Sequence, residues 1–205
     1  MKPAILFITG TDTGVGKTVF AALHTRQLRA RGVRVVALKP VCSGGRGDAR
    51  ALREASGKVL PLDEVNPWHF RAALSPLLAA REEKKRVRLR EVVAHICGIA
   101  KGFDVVIVEG AGGLLSPLGE DFDSRDLIRA LAATTIIVCP NKLGAVNQVR
   151  LTLSALPRVT ARHARIVLTN PARPDAASKT NLGLLKQFLD PNRLHLMPWL
   201  RGKKR

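Results

Sequence analysis

Five short apolar runs are spaced along the chain, and stretches of mixed polarity separate them. The runs cover residues 4–9, 33–38, 104–108, 134–139 and 165–169. Near-continuous apolar runs of this length are typical of strands buried on both faces, and the amphipathic stretches between them favour helices. Helices are predicted over 17–31, 48–56, 88–102, 124–132, 144–156 and 178–190, with Gly32 and Gly102 as two helix C-caps. The pattern predicts an α/β fold with a doubly wound, mostly parallel sheet and helices on both faces.

A glycine-rich segment follows the first apolar run directly. Residues 10–18 read Gly-Thr-Asp-Thr-Gly-Val-Gly-Lys-Thr. In such a loop the glycines let main-chain N–H groups point at phosphate, the lysine neutralises phosphate oxygens, and the threonine hydroxyl can bind Mg²⁺. The order of strand, loop and helix predicts a domain of P-loop NTPase type that binds ATP or GTP. Relative to the usual motif, one extra residue separates Gly10 from Gly16.

Charged residues also follow two other predicted strands. Ligands of a doubly wound sheet bind beyond the carboxyl ends of its strands. Glu109 follows the third run and is a candidate Mg²⁺ ligand, and Asp48 is either a further oxygen ligand or only a helix N-cap. Lys39 follows the second run, and two lysines at one site favour phosphoryl transfer over simple nucleotide binding. The alternatives are a surface acid at Glu109 and an exposed structural lysine at Lys39.

Length and composition set the class of protein. The 205 residues predict one domain, 1–205, and no apolar run approaches the length that a bilayer requires. Residues 1–3 lead directly into the first predicted strand, which leaves no room for a signal peptide. The three cysteines have no disulfide or zinc spacing and are expected to be reduced thiols. These observations predict a cytoplasmic protein without a membrane partner.

The net charge of +18 raises the question of a polyanionic partner. Basic side chains are concentrated late in the chain, and further basic stretches lie at 81–90 and 201–205. Neither stretch contains an aromatic residue on which a nucleic-acid base could stack. A solvated basic face is therefore favoured over a nucleic-acid site.

These segments together resemble the dethiobiotin synthetase family. The phosphate loop of that family reads much like residues 10–18, including the extra residue. Further motifs extend the resemblance, in order, over nearly the whole chain. They are Lys39-Pro-Val-Cys-Ser-Gly44, Asp48-Ala49, Asn66-Pro67 with Phe70, Ser75-Pro76, Val108-Glu-Gly-Ala-Gly-Gly113, Lys142-Leu-Gly144 with Asn147, Asn170, and Pro198-Trp-Leu200.

The resemblance implies a ligase that depends on ATP and Mg²⁺ and acts in biotin biosynthesis. Its small-molecule substrates would be 7,8-diaminononanoate, CO₂ and ATP, joined through carbamate and carbamoyl-phosphate intermediates to close the ureido ring of dethiobiotin. The resemblance also implies a homodimer with the substrate site at its interface.

Site residues are implied by position in the family's motifs. Thr18, Asp48 and Glu109 would hold Mg²⁺. The catalytic residues would be Lys17, Lys39, Thr13 and Ser43. ATP would contact Gly14, Val15, Gly16, Lys17 and Thr18 at its phosphates, and Asn170, Pro198, Trp199 and Leu200 at its adenine. The substrate would contact Ser43, Gly110, Ala111, Gly112, Gly113, Leu143, Gly144 and Asn147, the last three from the partner subunit. Gly14 and Leu77 stand where some relatives carry Glu and His.

Two other classes of P-loop protein are alternatives. A positioning ATPase similar to ParA or MinD would use the basic surface to bind DNA or membrane. Those proteins carry an additional lysine early in the loop, where this chain has residues 11–13, Thr-Asp-Thr. An amidoligase of cobalamin synthesis would need a glutaminase domain, for which the 205 residues leave no room.

Overall fold

A six-stranded parallel sheet forms the centre of the molecule, in the strand order β2-β5-β1-β6-β7-β8. The structure is a computed structural model that describes residues 3–200. The basic stretch 201–205 and residues 1–2 lie outside the described part. The strands of this sheet are β1 Ala4–Gly10, β2 Val35–Leu38, β5 Val105–Glu109, β6 Thr134–Pro140, β7 Arg165–Thr169 and β8 Leu194–Met197. A second, two-stranded parallel sheet pairs β3 Val41–Ser43 with β4 Trp68–Phe70.

Helices cover both faces of the central sheet. They are α1 Lys17–Ala30, α2 Gly47–Ala55, α3 Leu62–Val65, α4 Pro76–Glu82, α5 Leu89–Ala100, α6 Ser124–Leu131, α7 Ala145–Ala155, α8 Arg158–His163 and α9 Ala176–Leu185. Successive residues of β1 point to opposite faces, so Phe7 packs in the cluster that includes α5 and α6, and Ile8 packs in the one that includes α1 and α2. The predicted doubly wound fold is confirmed. No helix within residues 3–200 is both long enough and apolar enough to cross a bilayer.

Six of the strands and α-helices within residues 3–200 have no counterpart in the predicted set: β3, β4, β8, α3, α4 and α8. Each is short, and β8 contains a histidine among its apolar residues, so none produces a clear periodic signal. The predicted C-caps are displaced by one position, because Arg31 and Lys101 are the capping residues. Gly32, with φ +78°, and Gly102 each follow the cap.

Candidate active site

A cavity of about 690 Å³ opens beyond the carboxyl ends of β1, β2 and β5. Most of the residues that were predicted to contact phosphate, metal or substrate, or to act in catalysis, line it. They are Thr13, Gly14, Gly16, Lys17, Thr18, Lys39, Ser43, Asp48, Glu109, Ala111 and Gly112. The segments that supply them are adjacent because β1 lies beside β5 and β5 beside β2 in the sheet.

The glycine-rich loop joins β1 to α1. Gly14 and Gly16 have φ values of +73° and +97°, a region that residues with a Cβ rarely adopt. Val15 is buried, and its carbonyl oxygen accepts a hydrogen bond from the Thr169 hydroxyl at 3.2 Å, which ties the loop to the end of β7. Helix α1 then begins at Lys17, so its free N–H groups face the same concave loop. A loop of this shape at a helix N-terminus is suited to phosphate.

Lys17 is buried, and its ammonium group donates a hydrogen bond to the main-chain oxygen of Asp12 at 2.8 Å. Burial, with a further contribution from the positive charge of Lys39, lowers the pKa of Lys17 to about 8. Negative charge in the cavity would oppose both effects and favour the protonated form. The position and the lowered pKa of the Lys17 side chain therefore suit it to bind a phosphate group.

Glu109 is the last residue of β5, and only 1% of its surface is exposed. Its Oε1 atom accepts hydrogen bonds from the Thr18 hydroxyl at 2.8 Å and from Lys39 Nζ at 2.6 Å. Its Oε2 atom is buried and has no hydrogen-bond partner among residues 3–200. A free carboxylate oxygen beside a threonine hydroxyl is the kind of donor set that Mg²⁺ prefers. The alternative of a surface acid is wrong.

Lys39 is 4% exposed, which also contradicts an exposed structural lysine. Its Nζ atom donates to the Gly110 carbonyl oxygen at 3.0 Å and lies 3.4 Å from Asp48 Oδ2. Burial lowers the pKa of Lys39, but the negative charges of Glu109 and Asp48 outweigh burial and raise it overall. Lys39 therefore stays positively charged inside the cavity.

Asp48 is not the N-cap of its helix, because Arg46 holds that position. Asp48 lies in the first turn of α2, where a negative charge is favourable, and its side chain is 55% exposed. One carboxylate oxygen faces Lys39 and the other side of the group is open to the cavity. This geometry leaves Asp48 available as an oxygen ligand.

The segment after β5 approaches the phosphate loop closely. A Cβ atom on Gly110 would lie 2.8 Å from Ser124 Oγ, and one on Gly113 would lie 3.4 Å from the main-chain oxygen of Thr11. Gly112, with φ +68°, adopts a backbone conformation that disfavours a side chain. Small residues are needed here for packing. Of the four residues 110–113, only Ala111 and Gly112 line the cavity.

Two other predicted groups lie outside the cavity lining. Asn170, Pro198, Trp199 and Leu200 follow β7 and β8, and Leu143, Gly144 and Asn147 lie at the start of α7. The Asn170 main-chain N–H donates to the Met197 carbonyl oxygen at 2.9 Å, which joins the two strand ends. Met197 in turn approaches Gly16, since a Cβ atom there would lie 3.9 Å from Met197 Cε. The first group is thus adjacent to the phosphate loop.

Sequence reasoning gave no role to Asn141, which directly follows β6. It is 1% exposed, and its amide donates to Asn170 Oδ1 and to the Ser178 carbonyl oxygen, both at 2.8 Å. Asn181 donates to Asn141 Oδ1 at 2.9 Å. This buried network fixes the Asn170 side chain. The available signal was a polar residue at a strand end, the same signal that identified Glu109.

Nearly the whole chain matches a known family model. Residues 5–202 match the family model described as an AAA domain. ATP-dependent dethiobiotin synthetase BioD of Anaeromyxobacter dehalogenans (strain 2CP-C) is 42% identical over 199 residues, which cover 95% of this chain and 89% of that protein. The protein of the same name from Akkermansia muciniphila is 38% identical, over 89% of this chain and 86% of the relative. The chain belongs to the dethiobiotin synthetase family.

Solved structures of lower identity agree with the fold of this dethiobiotin synthetase-family chain. The hydrogenase maturation factor HypB from Archaeoglobus fulgidus has a TM-score of 0.52 at 15% identity, covering 96% of this chain and 82% of that one. The signal recognition particle receptor FtsY from Elizabethkingia anophelis, in complex with GDP, has a TM-score of 0.50 at 17% identity, covering 82% and 49%. At these identities the likeness concerns the fold alone. The family itself consists of ATP-dependent ligases, as the names of the relatives state.

Proposed function

We propose that the chain carboxylates 7,8-diaminononanoate with CO₂, at the expense of ATP, and closes the ureido ring of dethiobiotin. The observation that carries this proposal is the cluster of partly buried Thr18 with buried Lys39 and Glu109 beside the phosphate loop, with distances of 2.8 and 2.6 Å to one carboxylate oxygen. Such a cluster combines a fixed positive charge with free oxygen ligands. Phosphoryl transfer needs both at the point where negative charge spreads over the transferred group.

The chain's own residues supply a site for the phosphates and for Mg²⁺. Main-chain N–H groups of residues 14–18 would bind the phosphates, and Lys17 would neutralise the β- and γ-oxygens. Thr18, Glu109 and Asp48 would hold Mg²⁺, and the buried Oε2 atom of Glu109 is the strongest support for this. The bound ion would neutralise charge on the phosphate oxygens.

The reaction requires three steps. One amine of the substrate attacks CO₂ to form a carbamate and loses a proton, and the carbamate oxygen then takes the γ-phosphoryl group and releases ADP. The second amine attacks the carbamoyl carbon, displaces phosphate and loses a proton, which closes the ring. Lys39 stays protonated at the cavity wall and would stabilise the carbamate and the phosphoryl oxygens. Thr13 and Ser43 line the same cavity and would orient the carbamate or the phosphate.

The remaining contacts lie outside the cavity. Asn170 and the segment Pro198–Leu200 would hold adenine, since Asn170 is fixed by Asn141 and adjoins the strand end next to the phosphate loop. Gly110 would shape the substrate site by leaving room for the Ser124 and Phe7 side chains, and Gly113 by permitting the close approach of the Thr11 main chain. The three free thiols, Cys42, Cys97 and Cys139, agree with action in the reducing cytoplasm.

A homodimer with the site at its interface is part of the proposal. Asn147 and Leu151 are four residues apart and share one exposed face of α7. Leu143 lies just before the helix, and Leu143 and Leu151 are 84% and 60% exposed. A groove of mixed polarity includes Leu151, and its apolar part is lined by Leu114, Leu115 and Ala155 among others. Exposed apolar area next to an active site is typical of a subunit interface. In the dimer, Leu143, Gly144 and Asn147 would reach the partner's substrate.

The decisive experiment measures ADP release with single components omitted. We expect ATP cleavage to require the diamine, bicarbonate and Mg²⁺, and to stop on addition of EDTA. Formation of dethiobiotin, measured by mass spectrometry, should match ADP release. ATP cleavage that ignores the diamine but rises with DNA or with lipid vesicles would instead support the positioning ATPase suggested by the +18 charge.

A further inference from the structure

Two side chains that do not line the cavity, Asn66 and Arg46, donate hydrogen bonds to main-chain oxygens of nearby segments, including that of Lys39. Lys39 lies one residue past the end of β2, so its own main chain is not paired within the central sheet. Its N–H donates to the Val65 carbonyl oxygen at 2.9 Å, and its carbonyl oxygen accepts from Asn66 Nδ2 at 2.7 Å. The position of the catalytic lysine therefore depends on the segment after α3.

The orientation of the Asn66 amide is fixed from its other end. Asn66 is 1% exposed, and its Oδ1 atom accepts from Arg46 Nε at 3.1 Å and from the Cys42 thiol at 3.2 Å. Because both of these groups are donors, the NH₂ end must face the Lys39 carbonyl oxygen. Arg46 thus determines which way the buried amide points.

Arg46 also ties the loop after β3 to α3. Its Nη2 atom donates to the carbonyl oxygens of Leu62 and Asn66 at 3.1 and 3.0 Å, and its Nη1 atom donates to Asp63 Oδ1 at 2.7 Å. The guanidinium is a rigid, planar fork of donors, so several bonds fix its direction. Its neighbours in the loop are glycines at 44, 45 and 47, which impose little order of their own. Asp48 lies two residues after Arg46.

We propose that Arg46 and Asn66 form a clamp that sets the position of Asp48 against Lys39, and that both act as positioning residues for phosphoryl transfer. The clamp holds the main chain on both sides of the Lys39 Nζ to Asp48 Oδ2 contact, which measures 3.4 Å. Neither clamp residue lines the cavity, so both act through Lys39 and Asp48. The kinetic part of this inference rests on the proposed function.

The first test compares Arg46→Ala with Arg193→Ala. Arg193 is a matched control, because it also donates to two main-chain carbonyl oxygens, those of Ala161 and Ala164, but lies far along the chain from the cavity lining. We expect Arg46→Ala to lower kcat about tenfold to 100-fold, since small misplacements of catalytic groups cost this much. KM for ATP should change less than about threefold, because the phosphate loop is intact. Arg193→Ala should lose similar thermal stability and keep its kcat.

Further variants separate the clamp from a general loss of stability. Arg46→Lys should recover little activity, since one ammonium group cannot replace three directed donors. Asp63→Ala removes only the contact to a carboxylate that is 87% exposed, and should leave kcat within about twofold. If Arg46 acts through Asp48, the double variant Arg46→Ala/Asp48→Ala should be no slower than Asp48→Ala alone. Fully multiplicative losses would overturn the proposal.

Amide hydrogen exchange tests the clamp without reference to activity. Exchange over residues 43–48 should accelerate in Arg46→Ala and stay unchanged in Arg193→Ala. Unchanged exchange in Arg46→Ala would overturn the clamp whatever the chain catalyses. If the unaltered protein shows no turnover that depends on the diamine, the proposed function fails, and the exchange result still decides whether the clamp orders the loop.

Discussion

At the scale of single residues, the site depends on charges that are buried together. Glu109 and Lys39 are almost fully inaccessible and lie 2.6 Å apart, so each charge has exchanged most of its contact with solvent for contact with the other. A buried ion pair adds little net stability, but removal of one partner leaves an uncompensated charge. A substitution of Glu109 or Lys39 alone is therefore unfavourable, because it leaves the other charge buried without its partner.

Removal of one member should destabilise the protein more than removal of both. We expect Glu109→Gln and Lys39→Met each to lower the free energy of unfolding by about 3–5 kcal/mol, and the double variant to lower it by less than either. Urea unfolding measures all three. The control is the pair Glu54 and Lys58, 3.1 Å apart and about half exposed, where the matching substitutions should cost less than about 1 kcal/mol each. Additive losses at Glu109 and Lys39 would contradict this view.

Lys39→Met should also lower the turnover of ATP in the presence of the diamine by about 10²- to 10³-fold, the usual cost of removing a group that stabilises a transition state. Lys58→Met should retain full turnover. Comparison at saturating ATP separates this effect from nucleotide binding.

At the scale of elements, the phosphate loop depends on backbone conformations that only glycine adopts easily. Gly16, at φ +97°, precedes α1, and a Cβ atom there would lie 3.3 Å from Thr169 Cγ2. Gly183, in contrast, lies inside α9, where an added Cβ meets no atom within 4 Å. The same substitution should therefore have opposite effects at these two positions.

Gly16→Ala should destabilise the protein by about 1–3 kcal/mol, through backbone strain, and should weaken ATP binding because the loop shifts. Gly183→Ala should stabilise it by about 0.5–1 kcal/mol, since alanine favours a helix interior. Thermal unfolding and calorimetric titration with ATP measure the two effects. A stabilised Gly16→Ala variant with unaltered ATP affinity would contradict the role of the positive φ.

Some elements and residues could be predicted from the sequence and others could not, for physical reasons. The long apolar strands and the phosphate loop were predictable because each is defined by neighbouring residues. The strand β4, with only Trp68–Phe70, is too short to show a period, and it forms because β3 pairs with it. Asn66 and Arg46 were not predictable as positioning residues, because their partners lie up to 27 residues away in sequence. Contacts of this kind follow from the fold and not from local pattern.

At the scale of the whole molecule, the exposed side chains of Leu143 and Leu151 and the net charge of +18 have opposite effects on association of two subunits. Apolar burial favours association of two subunits, whereas two chains of like charge repel each other. Salt screens this repulsion. The proposed dimer should consequently tighten as ionic strength rises.

Analytical ultracentrifugation between low and moderate salt tests this expectation. Leu151→Glu should shift the protein to monomer, because a charge replaces an apolar contact in the proposed interface. Val59→Glu is the control, since Val59 is 52% exposed but lies between α2 and α3, away from α7. A protein that stays monomeric at every salt concentration would refute the dimer.

The central position of β1 also determines when the site can form. Ala4 of β1 pairs with Val105 of β5, and Leu6 pairs with Thr134 of β6, so the two neighbours of this strand come from the middle of the chain. Pairing of distant segments is slow, because the intervening chain loses entropy before the contacts compensate for it. During synthesis, β1 and the nucleotide loop emerge early and remain without a sheet until β5 and β6 follow. We therefore expect ATP to bind only late in folding, after β5 and β6 have paired with β1.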